Sequence, residues 1–553
     1  MNKFLLLTTL LLITFKSQSQ DYFKPIDSII RLYEGKNVPG FIVRVTKNGK
    51  TVYSNRAGYA NLEKKEKIND KSVFALASTS KQFTAAGIVL LQKQGKLSFN
   101  DNLRKYIPEF PAYAEKITIN QLLNHTGGLK DYRALAMLRG EDSDNYNAAA
   151  IKDLLTAQEL NDVPGANWKY SNSGYWCLAQ IIEKVSGQSV AAFADKNIFR
   201  PLKMKNTRYV TKPNNKLKNR ATGYKNDGSG FTISEVDEYS IGGAGVYSTA
   251  ADLEKWMNEM ESHRVFGDAF WNTMITENPA KGKGFTYTKG LFNFKYSGHT
   301  MINHGGDVVG FHPITAYFPD DKITVVILSN DNNFKRYDIL GAATDLLLGE
   351  KYDYPKAEAN VATKEVAVPE TITVDPALLE SYTGNYELAP GYVIAITTEE
   401  GKLKFNQLWD GVNLFFPPTK EAHHFAIDGA QISFIDFAAG KAANLRVVTD
   451  NEDSMYKRLY KDPDLTLYDK YTGEFFSKSL NSKITFFTEH GILRYRLGNN
   501  TNSDVANPPE SEGVFSTGHG EVIFTKNETG AITGFTLNHE RALNMEFVKQ
   551  KSE

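Results

Sequence analysis

Ser78-Thr79-Ser80-Lys81 sets a hydroxyl and an amine three residues apart at the head of a long apolar run. At the start of a helix that spacing puts both side chains on one side, where a deprotonated amine can take the serine's proton. The chemistry on offer is attack by Ser78 on an acyl carbonyl. The helix N-terminus adds free backbone N–H groups and positive potential, which favour a developing oxyanion. A second copy of the spacing, Ser454-Met455-Tyr456-Lys457, shows that the tetrapeptide alone decides nothing. Ser454 lies in a strand-like run, where positions i and i+3 face opposite ways, so the pair at 78 and 81 is the candidate.

An amine with an ordinary pKa near ~10.4 serves as a base only where burial or neighbouring positive charge lowers it. The pocket should therefore hold a phenol and further polar groups. Tyr170-Ser171-Asn172 supplies them immediately before an apolar helical pattern. Tyr53, Tyr59 and Tyr224 share the Tyr-x-Asn spacing, but the first two fall in or near a hairpin and no helix follows the third. His304-Gly305-Gly306-Asp307 precedes Gly310-Phe311 and a strand-like run from His312. Glycines there let a backbone edge approach a ligand, and His304 stands where its side chain could face the serine. Taken alone, His304 reads more readily as a turn histidine.

The elements that must position these groups are legible in outline. Residues 40–57 alternate around Asn48-Gly49, a hairpin signal. Residues 79–94 predict a nearly buried helix stopped by Gly95, and helical patterns recur over 118–124, 173–185, 249–260 and 337–348. Residues 312–318 and 322–329 are β-rich and joined by Pro319-Asp320-Asp321. Sheet at both ends with helices between predicts an α+β domain, an antiparallel sheet flanked by helices, over residues 20–350. Residues 351–373 are polar and carry Pro355 and Pro369, the composition of a linker. Short alternating strands follow, with an internal repeat: the Asp375, Leu378, Tyr382-Thr383-Gly384 and Tyr386 pattern recurs as Asp464, Leu467, Tyr471-Thr472-Gly473 and Phe475. Two tandem all-β barrel-like domains, 374–461 and 462–553, are expected.

Composition narrows the function classes. Lys plus Arg and Asp plus Glu both number 64, so no global field favours nucleic acid or an anionic membrane. A small substrate fits better. The N-terminus has Lys3, an apolar core from Phe4 to Phe15, and small residues at Ser17 and Ser19. That is the pattern of a signal peptide over residues 1–19, too short in its apolar core to span a bilayer, and it predicts a periplasmic or secreted protein with no membrane span after cleavage. The single cysteine, Cys177, excludes disulfides and reads as a small buried hydrophobe. No Cys/His cluster suggests a metal, and no cofactor is expected. A homodimer is left open.

The order Ser78-x-x-Lys81, Tyr170-x-Asn172, His304-x-Gly306 resembles the serine β-lactamase and penicillin-binding protein superfamily in its class C-like branch. Leu122-Leu123-Asn124-His125-Thr126-Gly127-Gly128-Leu129 and Gly242-Gly243-Ala244-Gly245 look like further family segments. The resemblance implies that Ser78 is the nucleophile and that Lys81 and Tyr170 share general-base and general-acid work. It also implies that Asn172 holds Lys81 and the substrate's acyl side chain, and that the N–H groups of Ser78 and Asp307 form the oxyanion hole. Where typical members have Lys-Thr-Gly, whose lysine anchors a carboxylate, this chain has His304-Gly305-Gly306. That His-x-Gly form is similar to D-aminopeptidases and some esterases, and it points away from β-lactam hydrolysis. The implied function is an exported serine peptidase or amidase on small peptides or cell-wall fragments. An esterase of the same fold and a slowly acylating sensor are the alternatives. The polar segment 498–513 is expected to be a loop, either a solvated surface loop or, by the same resemblance, one that limits substrate size.

Overall fold

The computed structural model describes residues 22–210, 217–226, 230–234, 241–277, 279–352, 374–427, 430–449 and 452–551. The expected leader lies outside the described residues, as does nearly all of the expected linker. The chain divides into two compact units, residues 1–133 with 142–358 and residues 134–141 with 359–553.

In the first unit the major elements run α1 (Lys24–Arg31), β1 (Phe41–Lys47), β2 (Lys50–Ala57), α2 (Lys81–Lys93), α3 (Asn172–Ser186) and α4 (Ala250–Ser262). They continue as β3 (Ala280–Gly282), β4 (Phe285–Tyr287), β5 (Phe292–Tyr296), β6 (His299–Gly305), β7 (Ile314–Phe318), β8 (Ile323–Ser329) and α5 (Arg336–Leu348). The strands form one antiparallel sheet in the order β3-β4-β5-β6-β7-β8-β1-β2. The N-terminal hairpin thus completes a sheet begun late in the chain, with Val43 opposite Ile327 and Val45 opposite Val325. Every residue of β8, Ile-Thr-Val-Val-Ile-Leu-Ser, is buried, because this central strand is covered on both faces. Ile26 and Ile30 of α1 and Leu340 and Ala343 of α5 close one apolar cluster with Val43, Val45, Val325 and Ile327. Helix α4 packs on β8 and β1, and α2 packs along α3. Gly87 sits at that helix crossing, where an added Cβ would come within 2.9 Å of Ile182.

In the second unit α6 (Pro376–Tyr382) leads into β9 (Gly384–Glu387), β10 (Val393–Glu399), β11 (Lys402–Gln407), β12 (Asn413–Phe415), β13 (His424–Ile427), β14 (Ala430–Ala438), β15 (Lys441–Thr449) and β16 (Asp453–Arg458). Their order, β12-β11-β10-β9-β16-β15-β14-β13, is a curled sheet rather than a closed ladder. Among the described residues, the segment after β12 reaches the other edge, β13, through Thr419 N to His424 O (2.9 Å) and Ala426 N to Pro417 O (3.1 Å). Pro417 and Pro418 have no N–H to extend that pairing.

The following strands are β17 (Gly473–Ser477), β18 (Ser482–Glu489), β19 (Ile492–Leu497), β20 (Asp504–Ser511), β21 (Val514–Thr517), β22 (Gly520–Lys526), β23 (Ile532–His539) and β24 (Ala542–Lys549). These close a barrel of eight strands. Much of segment 498–513, expected to be a loop, is strand β20, pairing Val505 with Arg494 and Ala506 with Thr517. Its sequence, Asp-Val-Ala-Asn-Pro-Pro-Glu-Ser, has no apolar–polar alternation and carries two prolines, so the strand had no sequence signal.

The repeat has a structural cause. Tyr382 and Tyr386 in one copy and Tyr471 and Phe475 in the other are buried core rings. Gly384 and Gly473 have φ of 140° and 138°, and a Cβ at either would strike Arg458 or Lys549, at the ends of the two closing strands. Those cations lie over the rings of Tyr386 (4.6 Å) and Phe475 (5.6 Å), the same cation–π latch twice.

Candidate active site

Ser78 is the second residue of a short turn of 3-10 helix, Ala77–Ser80, and the α-helix starts at Lys81. A 3-10 turn eclipses positions i and i+3, which aligns the two side chains more directly than the expected α-helix would. Lys81 Nζ lies 3.1 Å from Ser78 Oγ. Ala77, the residue before the serine, is held at φ 45°, a conformation that costs a non-glycine residue about 1 kcal/mol or more. The first hydrogen bond of the turn runs from Thr79 N to Leu76 O, so the turn itself offers no acceptor to the Ser78 N–H.

The other polar residues of the segment are spent on docking it. Thr79 Oγ1 donates to His304 O (3.1 Å), Ser80 Oγ accepts from Val246 N (3.1 Å), and Thr84 Oγ1 donates to Gly242 O (2.7 Å). Gln82 Nε2 donates to Thr315 Oγ1 (2.9 Å), and Gln82 Oε1 accepts from Trp256 Nε1 (2.8 Å). The turn is fixed to the sheet through β6 and β7 and to α4.

Lys81 is fully buried, with 0% exposure. Its Nζ donates to Asn172 Oδ1 and to Gly243 O, both at 2.8 Å. Neither of those oxygens can donate back as a protein carbonyl, so two N–H bonds are assigned. Ser78 Oγ, 3.1 Å away, then faces a proton when the amine is charged and can face a lone pair when it is neutral. This fixes the line along which a proton passes between serine and lysine. Glycine at 243 eases this close approach: a Cβ there would stand 3.1 Å from Asn172 Oδ1 and 3.3 Å from Lys81 Nζ, so either group would have to give by a few tenths of an ångström.

Asn172 opens α3, whose cap is Ser171 Oγ accepting from Gly174 N (3.3 Å). The Asn172 N–H donates to the buried carboxylate of Asp131 (2.5 Å), which also accepts from Arg133 N (3.0 Å). An anion at a helix N-terminus is favourable, and here it anchors the residue that anchors Lys81. Tyr170 is half-buried. Lys81 Nζ lies 4.8 Å from its ring centroid and 5.5 Å from that of Tyr175. His125 packs on the Tyr170 ring at 4.3 Å.

His304 lies in β6, only 2% exposed. Its Nδ1 is 2.5 Å from Gly305 O and its Nε2 is 3.2 Å from the Tyr287 hydroxyl. A carbonyl only accepts, so Nδ1 carries the proton and Nε2 accepts from Tyr287. Burial first, and then charge on Lys81, push the His304 pKa down to about 3. The ring is neutral, and both nitrogens are committed inside the protein.

Gly306 brings the end of β6 against the Ser78 turn: a Cβ there would fall on Leu76 O and within 2.9 Å of both Ala77 Cβ and Pro313 Cγ. The Asp307 N–H has no acceptor among the described residues. The Asp307 side chain turns elsewhere, to Arg336 Nη1 (2.7 Å) and Nη2 (2.8 Å) and to His312 Nδ1 (2.9 Å). Burial alone would raise its pKa, but the hydrogen bonds from His312 and Arg336 hold the carboxyl well below the usual range. Arg336 Nη1 also donates to Gly306 O (2.6 Å), so one guanidinium clamps the backbone and side chain of this edge.

A family model described as beta-lactamase matches residues 26–350. The chain belongs to the beta-lactamase family. It is 30% identical over 405 residues to penicillin-binding protein 4* of Bacillus subtilis (strain 168), covering 69% of this chain and 87% of that protein. Its fold is similar to the octameric penicillin-binding protein homologue from Pyrococcus abyssi, with a TM-score of 0.53 and 22% identity over 78% of this chain and 99% of that one. It is also similar to D-amino acid amidase from Ochrobactrum anthropi SV3, with a TM-score of 0.51 and 22% identity over 59% and 98%.

Within this beta-lactamase-family serine hydrolase, all seven sequence-selected residues lie in the first unit. Lys81 joins Ser78 to Asn172 directly, and Gly306 and Asp307 border the Ser78 turn. Sequence reasoning missed Asp131, Gly243, Tyr287 and Arg336. Gly243 was visible inside Gly242-Gly243-Ala244-Gly245, and Asp131 stands two residues past Leu129. Nothing in the sequence marked Tyr287 or Arg336. Among the described residues no group of three or more His, Cys, Asp or Glu is placed to hold a metal, and no helix is long and apolar enough to cross a membrane.

Proposed function

We propose that this protein is an exported serine amidase or peptidase that cleaves small peptides through an acyl-enzyme on Ser78. The observation that carries the reading is the buried Lys81 amine, two of whose positions are fixed by Asn172 and Gly243 so that the third meets Ser78 Oγ. Lys81 and Tyr170 pass the serine's proton toward the leaving atom, and the reverse path activates water for deacylation. The N–H groups of Ser78 and Asp307 receive the oxyanion.

Substrate class follows from His304. A neutral, internally bonded ring offers no cation to a carboxylate on the leaving side. This disfavours penicillins and carboxylate-terminal D-alanine peptides and favours amides with an uncharged leaving group, D-aminoacyl amides among them. Rapid mixing with an activated ester tests the acyl-enzyme. The expected record is a burst of one equivalent followed by turnover, with both lost in Ser78→Ala. Full hydrolysis by Ser78→Ala would remove the proposal. D- and L-aminoacyl amides, a D-alanyl-D-alanine peptide and a chromogenic cephalosporin, assayed side by side, then rank the substrates.

A further inference from the structure

Three aromatic side chains that take no part in the proton path stand beside it. Trp168 comes from the segment before α3, Phe285 from β4 and Phe292 from β5. Trp168 meets Phe285 edge-on at 4.8 Å, Phe285 meets Phe292 at 5.3 Å, and Trp168 meets Phe292 at 6.2 Å. Each is partly exposed, whereas Tyr287, against which Phe292 packs at 4.7 Å, is fully buried. The group therefore has a buried floor and an open side.

Its position relative to the chemistry is fixed by two contacts. Trp168 lies 6.4 Å from the Tyr170 ring, whose centroid is 4.8 Å from Lys81 Nζ. Phe292 lies 5.3 Å from the His304 ring. Tyr170 and His304 are the two residues that the proposed function sets on the leaving side of the scissile bond. Asn172, which the family resemblance sets against the substrate's acyl side chain, is held instead by Asp131 and Lys81.

The placement of Phe285 is also built in. Its ring lies across the backbone of Gly282, so that any Cβ at 282 would fall inside it. The Lys283-Gly284 turn between β3 and β4 returns the chain so that Gly282 pairs with Phe285. A glycine is spent to hold one ring against Trp168. Edge-to-face aromatic groups with an open side favour another ring, which adds both buried apolar area and quadrupole contacts.

We propose that Trp168, Phe285 and Phe292 form a specificity subsite that takes an uncharged aromatic group on the leaving side of the substrate. The inference rests on the acyl-enzyme reading above and names the group it selects. The reaction is hydrolysis throughout: the acyl carbon–nitrogen bond breaks, the amine leaves with a proton, and water supplies the hydroxyl of the acid.

The test uses the full mature chain and amides of one small acyl group with methylamine and with benzylamine, plus the reversed pair with the ring on the acyl side. The wild type is expected to favour the benzylamide over the methylamide at least tenfold in kcat/KM. In Trp168→Ala and in Phe285→Leu, which keeps an apolar side chain on the hairpin, that ratio should fall toward one, chiefly through KM. A ratio near one in the wild type overturns the subsite while leaving the catalytic reading intact. An unchanged ratio in both variants, or selectivity that appears only with the ring on the acyl side, also overturns it. Hydrolysis of neither amide, or hydrolysis that survives Ser78→Ala, counts against the catalytic reading itself.

Discussion

Replacing His304 by lysine restores the residue type that typical relatives carry, and the structure predicts that the change fails. The position rejects positive charge: burial and Lys81 take the histidine from its ordinary 6.5 to about 3. A shift of that size corresponds to ~5 kcal/mol against a cation at this site, at ~1.36 kcal/mol per unit. Globular domains retain only about 5–15 kcal/mol of stability. A lysine here must either lose its proton near neutral pH or consume much of that margin. It also forfeits the donation to Gly305 O and leaves the Tyr287 hydroxyl without its acceptor. His304→Lys should therefore lower the Tm of the catalytic unit by roughly 10 °C and gain no hydrolysis of a chromogenic cephalosporin. The wild-type ring has its own signature. Between pH 3 and 6.5 the unfolded chain binds this proton and the native chain does not, so the contribution of His304 makes stability rise with pH across that window and level off above it. Calorimetry of both proteins from pH 4 to 8 reads the two effects. A His304→Lys protein of unchanged Tm that hydrolyses the cephalosporin would refute the reasoning, because the side chain would then reach the cleft.

Lys289 is buried at 1% exposure, with its Nζ 2.7 Å from Glu277 O, and burial takes its pKa from 10.5 down to about 8. The unfolded chain binds the extra proton between those values, so stability should rise with pH from 8 to 10.5; Lys289→Met should remove that rise and gain about 2 kcal/mol at pH 7 after the lost hydrogen bond is subtracted, read by denaturant titration. Gly306→Ala places a methyl against Leu76 O and Ala77 and should push β6 off the Ser78 turn. A fall of about 10²-fold or more in kcat is expected, of the order found when an oxyanion donor is lost, with KM less affected. Asp131→Ala strips the acceptor from the N–H groups of Asn172 and Arg133 and should cost about 3 kcal/mol of stability, with activity falling as Asn172 releases Lys81.

What could be read ahead of the structure depended on locality. The helices at 81–93, 172–186, 250–262 and 336–348 were legible within a residue or two, because each holds a local run of apolar residues at helical spacing. The β1–β2 hairpin was marked by Asn48-Gly49. Its pairing with β8, more than 270 residues later, followed only from the rule that terminal strands share a sheet. The grouping of Ser78, Lys81 and Tyr170 was visible because residue type and order are both constrained. Arg336 was not, since its role comes from the fold bringing α5 beside the end of β6. The two β-domains were announced by the Tyr-Thr-Gly repeat, whose cause, a glycine beneath a distant Arg458 or Lys549, has no local signature. The open edge of the first was not foreseen: a barrel-like domain was expected there, and the sheet stays open where Pro417 and Pro418 cannot donate. Strand β20 was also missed: its polar side chains resemble those of a loop.

Intact-protein mass spectrometry of the purified protein after millisecond mixing with an activated ester tests the Ser78–Lys81 pair most directly. The account predicts one acyl group per chain, mapped by peptide analysis to Ser78. It should be absent from Ser78→Ala and formed at least a thousandfold more slowly in Lys81→Met. An acyl group on any other residue, or equal acylation rates in Lys81→Met and the wild type, would contradict it.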